Sequence, residues 1–175
     1  PTDPQSSSDT VGIAEAAAAV LEKALDSQHP IIVAFGTGRT LRAMAEQVSP
    51  MDCPQHKIVS LVGNIEPDGS ASIFDVASRI GDRVRAPYYP MPLPVIAATV
   101  PEKNLLIAQK SLRNIVDLAE LAELTFVGIG TIDNDAALLR DGFVKPEEIC
   151  SLVRSGAVGE ITGWAFDAAG NLIDG

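Results

Sequence analysis

Between Ile13 and Leu25, apolar side chains return every three or four positions: Ile13, Ala16, Ala17, Val20, Leu21, Ala24 and Leu25. That is the spacing of one helix face. The period then changes. "PIIVAF" at 30–35 is short, β-branched and apolar on both sides, which predicts a buried strand. Leu41, Met44, Ala45 and Val48 mark a second helix face, and "KIVSLVG" at 57–63 a second buried strand ending at Gly63. "NIEPDGSAS" reads as a loop, and Ile73, Val76, Ala77 and Ile80 predict another helix. "LTFVGIGT" at 124–131 reads as a third buried strand that ends in glycines.

The segment "RAPYYPMPLPVIAATVPEKN" carries prolines at 87, 90, 92, 94 and 101. Proline removes ladder donors and biases its predecessor away from helix, so this reads as extended chain running over a surface. Pro101 and Glu102 suit a first helical turn, and helical patterns run through "LLIAQKSL" and "IVDLAELAEL". "NDAALLRDG" predicts a short helix closed by Gly142. "KPEEICSLVRSG" predicts another, with proline and acids at its start and Gly156 at its stop. "EITGWAFDAAGNLIDG" reads as a β-hairpin turning at 167–171, with Trp164 and Phe166 in the core. Residues 1–12, opening "PTDPQSSSDT", read as a mobile lead-in, and residues 13–175 as one domain.

Strands alternating with helices predict an α/β fold: a parallel sheet with helices on both faces, plus the C-terminal hairpin. Ligands in such folds sit beyond the carboxyl ends of the strands. Three glycine-bearing loops leave those ends, at 36–38, 63–64 and 128–130, and are expected to cluster on one rim.

Composition narrows the class. The 46% hydrophobic and 21% charged residues are ordinary for a soluble globular protein. No apolar run approaches the length of about 18 residues that would suggest a membrane span, and no secretory signal pattern opens the chain. With 13 basic against 23 acidic residues, the net charge of −10 repels phosphate backbones, so this chain is a poor candidate to grip nucleic acid by itself. Cys53 and Cys150 match no metal-ligand spacing and read as two reduced thiols of a cytoplasmic protein.

The corner "AFGTGRT" at 34–40 is where chemistry concentrates. A strand–glycine–glycine–helix turn presents amide N–H groups at a helix start, where the dipole adds positive charge. Gly36 and Gly38 let the backbone turn sharply, Thr37 and Thr40 offer hydroxyls, and Arg39 offers a planar charged fork. These groups suit a phosphate or carboxylate; the same residues also make a plain βα turn with a threonine cap. The corner is neither a P-loop, since no lysine follows Gly38, nor G-x-G-x-x-G, since position 41 is leucine. His29 and His56 lie away from the glycine loops and read as surface histidines. Asp75, Asp133 and Glu160 could each accept hydrogen bonds from a polyol or be solvated acids near helix starts. No nucleophile elbow, zinc motif or acid–base pair at a recognisable spacing is present, so no catalytic residue, metal ligand or cofactor is assigned.

Taken in order, "IIVAFGTGRTLRAMAEQV", "IVSLVGN", "APYYPMPLPV", "FVGIGTI" and "SGAVGEITGWAFDAAGNLID" resemble the sugar-binding (effector) domain of SorC-type bacterial transcriptional regulators. That group is similar to the central glycolytic gene regulator. The resemblance spans residues 13–174 and implies a Rossmann-like domain related to the glucosamine-phosphate and ribose-phosphate isomerases. It implies that Gly36, Thr37, Gly38, Arg39, Thr40 and Asn64 hold the phosphate of a phosphorylated sugar. Asp75, Gly128, Gly130 and Glu160 would then meet the sugar. Asn64 stands where many relatives have a second glycine. The family's helix-turn-helix domain is not visible ahead of Ile13, and the family pattern continues past Gly175, so the effector domain is expected to be incomplete at its C-terminus.

The leading expectation is therefore a ligand-sensing module that forms a dimer or tetramer and controls DNA binding through a separate domain. A sugar-phosphate isomerase of the related fold is the rival. Isomerisation needs a positioned base near C1–C2 of the sugar, for which Asp75 or Glu160 would have to serve.

Overall fold

A computed structural model of the chain describes residues 7–66, 68–72, 75–97 and 99–173. Helix α1 spans Ser7–Leu25. Residues 7–12 are thus helical rather than part of a lead-in, because each residue added to a nucleated helix gains a backbone bond; residues 1–6 lie outside the described residues. The buried stripe is Ala14, Ala18, Leu21 and Leu25, while Ile13 and Val20 are 59% and 53% exposed. With alanine at so many positions the sequence offers two competing stripes, and the other one faces the core.

Four strands form an all-parallel sheet: β1 (Ile32–Phe35), β2 (Lys57–Ile65), β3 (Tyr88–Pro94) and β4 (Leu124–Phe126), in the order β3-β2-β1-β4. Helices α2 (Arg39–Gln47) and α3 (Val76–Val84) join α1 in a core with Val33, Phe35 and Ile58. Ala34 and Val59, on the opposite pleat, are buried outside that cluster, and α5 (Lys110–Glu120) packs against β1, β2 and β3. Helices thus flank the sheet on both faces. Helix α4 (Val100–Ile107) begins as the sequence predicts, with Thr99 capping the Glu102 amide at 3.3 Å and Pro101 in the first turn. Ile73 of the expected third helix face lies outside the described residues.

The proline-rich segment is extended, as expected, and it also pairs with β2 as the edge strand β3. Ile58 N donates to Pro87 O at 2.9 Å and Val95 N to Ile65 O at 3.0 Å, so odd-numbered positions turn their polar groups toward β2. Pro90, Pro92 and Pro94 fall on the alternate positions, where their missing N–H groups face the free edge. Proline costs no ladder bond there, and it leaves the edge without donors for a further strand.

The expected third strand divides. β4 stops at Phe126, whereas β5 (Gly130–Thr131) belongs to a second, antiparallel sheet with β6 (Ala157–Ile161) and β7 (Trp164–Asp167), in the order β5-β6-β7. The chain divides into two compact units, Pro1–Phe126 and Val127–Gly175. The second unit also holds α6 (Ala137–Arg140) and α7 (Pro146–Arg154), ended by Gly142 and Gly156 at φ 78° and 93°. Its hairpin turns at Thr162 and Gly163, whose φ values of 52° and 83° match the primed turn of two-residue hairpins. The turn expected at 167–171 exists as a later one. Asp167 there accepts from Ala169 N and Asn171 N at 2.9 and 2.8 Å, and the Asn171 side chain and backbone hold its carboxyl below the usual value. Trp164 is 45% exposed and Ala165 7%, so the core-facing register is one residue from the expected one.

His56 is fully buried, not a surface residue. Its Nδ1 accepts from Ile31 N at 3.1 Å, and its Nε2 lies 2.9 Å from Leu25 O. A neutral ring protonated on Nε2 satisfies both partners. The side chain thereby ties the end of α1 to the entries of β1 and β2. His56→Ala strips two buried backbone groups of their partner, and should lower unfolding free energy by about 2–4 kcal/mol. Urea titration against wild type measures this; a loss below about 0.5 kcal/mol would reduce the histidine to a packing group.

Candidate functional site

The site is built where β1 and β2 stop. Gly36 is buried, and its N–H donates to Phe126 O at 2.8 Å, which fastens the corner to the end of β4. Phe35 and Phe126 stack beneath, with ring centroids 5.2 Å apart. Gly38 adopts φ 121°, ψ 169°, a conformation that side chains rarely permit. A Cβ there would meet nothing within 4 Å, so backbone conformation, not space, requires the glycine. Gly38 is the N-cap of α2 and provides no capping side chain, and the first turn holds no acid. The positive end of α2 is thus not offset by a carboxylate of its own.

On β2, Ser60 is 7% exposed and donates from Oγ to Val62 O at 2.9 Å. A Cβ at Gly63 would collide with the carbonyl oxygens of Leu93 and Pro94, so glycine allows β3 to approach. Asn64 O accepts from Ser72 N at 2.8 Å, and Ser72 O from Asp75 N at 3.3 Å. These bonds fold the β2–α3 connection back on itself. Asp75 is the N-cap of α3 rather than a residue within it, taking the Ser78 amide on Oδ1 at 3.2 Å.

Together these elements enclose a cleft of about 210 Å³, open solvent included. Gly36 and Thr37 line it from the β1 corner, Ser60 and Asn64 from β2, Ser72 and Asp75 from the approach to α3. Of the residues singled out in the sequence, Gly36, Thr37, Asn64 and Asp75 are therefore brought together. Gly38, Arg39 and Thr40 are not among the lining residues; they form the start of α2, with Arg39 exposed. Ser60 and Ser72 are additions. The one signal for Ser60 was a lone hydroxyl in an otherwise apolar strand, while Ser72 lay in a loop with nothing to distinguish it.

Gly128, Gly130 and Glu160 belong to the second unit. There Gly130 pairs with Glu160, and a Cβ at Gly130 would collide with the Glu160 carboxylate. Glu160 Oε2 accepts from Gly163 N at 2.8 Å, so this carboxylate braces the hairpin turn. Among the described residues, no group of three His, Cys, Asp or Glu side chains could hold a metal ion. No helix among them is long and apolar enough to cross a membrane.

A family model described as "Putative sugar-binding domain" matches residues 1–175, and the chain belongs to that family. The chain is 30% identical over 164 residues to the erythritol catabolism regulatory protein EryD of Brucella abortus, covering 94% of this chain and 52% of EryD. It is 30% identical over 148 residues to the transcriptional regulator LsrR of Klebsiella pneumoniae, covering 82% and 43%. The fold is similar to that of the full-length sorbitol operon regulator SorC from Klebsiella pneumoniae, with TM-score 0.78 at 19% identity over 94% of this chain and 53% of that one. The chain spans about half the length of these curated relatives.

Two glycines separate backbone effects from steric ones. A Cβ at Gly12, within α1, and one at Gly38 both meet open space. Gly12→Ala should stabilise the protein by about 0.5–1 kcal/mol, as helical Gly-to-Ala changes do. Gly38→Ala should destabilise it by about 1–3 kcal/mol through strain alone. Denaturant midpoints compare the two, and equal effects would show that the corner tolerates an ordinary residue.

Proposed function

We propose, starting from membership of the sugar-binding domain family, that this chain is the effector-sensing part of a bacterial transcriptional regulator and that its effector is a phosphorylated sugar or polyol. The observation that carries the reading is one cleft combining the α2 corner with Asn64, Asp75, Ser60 and Ser72. Residues 36–40 and Asn64 take the phosphate: amide donors at a helix start suit an oxyanion, and Arg39 and Thr40 lie in the first turn of α2 to close over it. Asp75 takes sugar hydroxyls. Gly128, Gly130 and Glu160 lie in the second unit, where Glu160 serves the Gly163 amide.

In the whole regulator the ligand acts by preferring one state of a homo-oligomer, and so alters DNA contacts made by a separate domain in the cytoplasm. Only a difference in affinity between two states can do this. Similarity to the regulators EryD and LsrR supports sensing over isomerisation.

Thermal shift with a panel of sugar and polyol phosphates tests the reading, since a ligand that binds only the native state raises stability by RT ln(1 + [L]/Kd). Erythritol 4-phosphate belongs in the first set, because the relative EryD is named for erythritol catabolism. At least one phosphorylated compound should raise the melting temperature without being consumed, and its unphosphorylated parent should not. The double variant Arg39→Ala, Thr40→Ala should keep the fold and lose about tenfold or more of that affinity. Turnover of any compound would favour the isomerase, and unchanged affinity in the double variant would make the corner a plain turn.

A further inference from the structure

We propose that the outer face of α5 is a docking surface for a second copy of this chain, which seats its own α5 there in the antiparallel sense. The inner face of α5 packs on β1, β2 and β3, burying Leu112, with Ile115, Val116 and Leu118 half-buried. On the opposite side Lys110, Arg113, Asn114, Asp117 and Glu120 are exposed, at the three- and four-residue spacing of one stripe. Leu121, next after the helix, continues that stripe and is 67% exposed. The adjoining helix α4 packs on α5 and buries none of its own residues, leaving Val100 and Leu105 64% and 68% exposed. Single apolar residues on a surface need no explanation, but these adjoin a stripe whose charges follow a pattern.

The pattern is two bases followed by two acids, Lys110 and Arg113 and then Asp117 and Glu120, placed symmetrically about Ile115. An antiparallel copy centred on that position sets Lys110 against Glu120 of the second copy and Arg113 against its Asp117. Two-fold symmetry repeats both pairs. A parallel copy would bring like charges together, so the same four residues disfavour it. The order is not one that α5 uses for itself. Bases at a helix start and acids at its end oppose the helix dipole. Arg113 and Asp117 are the one opposite pair spaced to meet within the helix, with base ahead of acid, the poorer order. No salt bridge holds any of the four to another described residue. A chain of net charge −10 repels its own copies, so the attraction has to be local and aligned. Exposed ion pairs are individually weak; here they set direction and register, while Leu121 and the apolar residues of α4 supply area to bury. None of these residues lines the cleft, so the surface does not depend on the ligand.

Sedimentation velocity over a concentration series tests this with two double variants, Lys110→Glu with Arg113→Glu, and Asp117→Lys with Glu120→Lys. Wild type should form a dimer as concentration rises. Each variant alone should associate about tenfold or more weakly, because its stripe carries one sign of charge. An equimolar mixture of the two should recover a dimer at least about as tight as that of wild type, since every cross-pair is then of opposite sign. Both variants place their new charges in the sense the helix dipole favours, so melting temperatures at dilutions where all are monomeric should not fall. That separates lost docking from lost folding. The lysine variant also separates docking from general repulsion. Each acid-to-lysine change adds two charges and takes the net charge from −10 to −6, so general repulsion alone would make this variant associate more strongly than wild type. A wild type that stays monomeric throughout, variants that associate like wild type, or a mixture no tighter than its components would each overturn the proposal. The first of these results assigns the face to a different partner, and all three leave the sensing role standing.

Discussion

The cleft depends on where the parallel strands end and on how the chain leaves the first of them. β1 lies between β2 and β4, and its exit is fixed by the Gly36 amide bonded to Phe126 O over the stacked Phe35 and Phe126 rings. That anchor leaves the backbone little room before α2 must begin, and the turn is completed through Gly38 in a conformation reserved for glycine. The result is a helix start without an acidic cap, aimed from the carboxyl edge of the sheet. At the opposite end of the strands, His56 ties α1, β1 and β2 together through two backbone partners. A rigid sheet held at one end and an open corner at the other are the usual division between stability and binding in folds of this kind.

Much of this was legible because buried parallel strands have no polar face to disguise them. "PIIVAF" and "KIVSLVG" stand out as apolar runs, and the glycines after them mark the turns. What escaped was decided by alternation and pairing partners. Pro90, Pro92 and Pro94 look like strand breakers until a neighbour is known; only then do their missing donors fall on the free edge. The run "LTFVGIGT" reads as one strand, yet its halves pair with β1 and with β6, and a linear pattern carries no record of partner. Trp164 was expected in the core, yet Ala165 is the buried residue, because moving a hairpin turn by a few residues shifts the register of the strand leaving it.

The candidate site shows the same division. Gly36, Thr37, Asn64 and Asp75 were identifiable from their place after strands, and the fold brings them to one cleft. Asp75 as a cap, and Ser60 and Ser72 as lining, required the β2–α3 connection to fold back through its own backbone bonds. Glu160 was legible as a carboxylate in a family motif, but its partner, the Gly163 amide, comes from the hairpin turn that the sequence placed elsewhere. Similarity to regulators that are about twice this chain's length agrees with a sensing module.

The central claim is that the backbone at the start of α2 receives the anion. Amide chemical-shift mapping of the ¹⁵N-labelled protein during titration with inorganic phosphate addresses it most directly, because it reports on the N–H groups themselves. The account predicts saturable shifts that are largest at Thr37, Gly38, Arg39 and Thr40, with smaller ones at Asn64. Saturable shifts confined to other surfaces, with these amides unmoved, would contradict it.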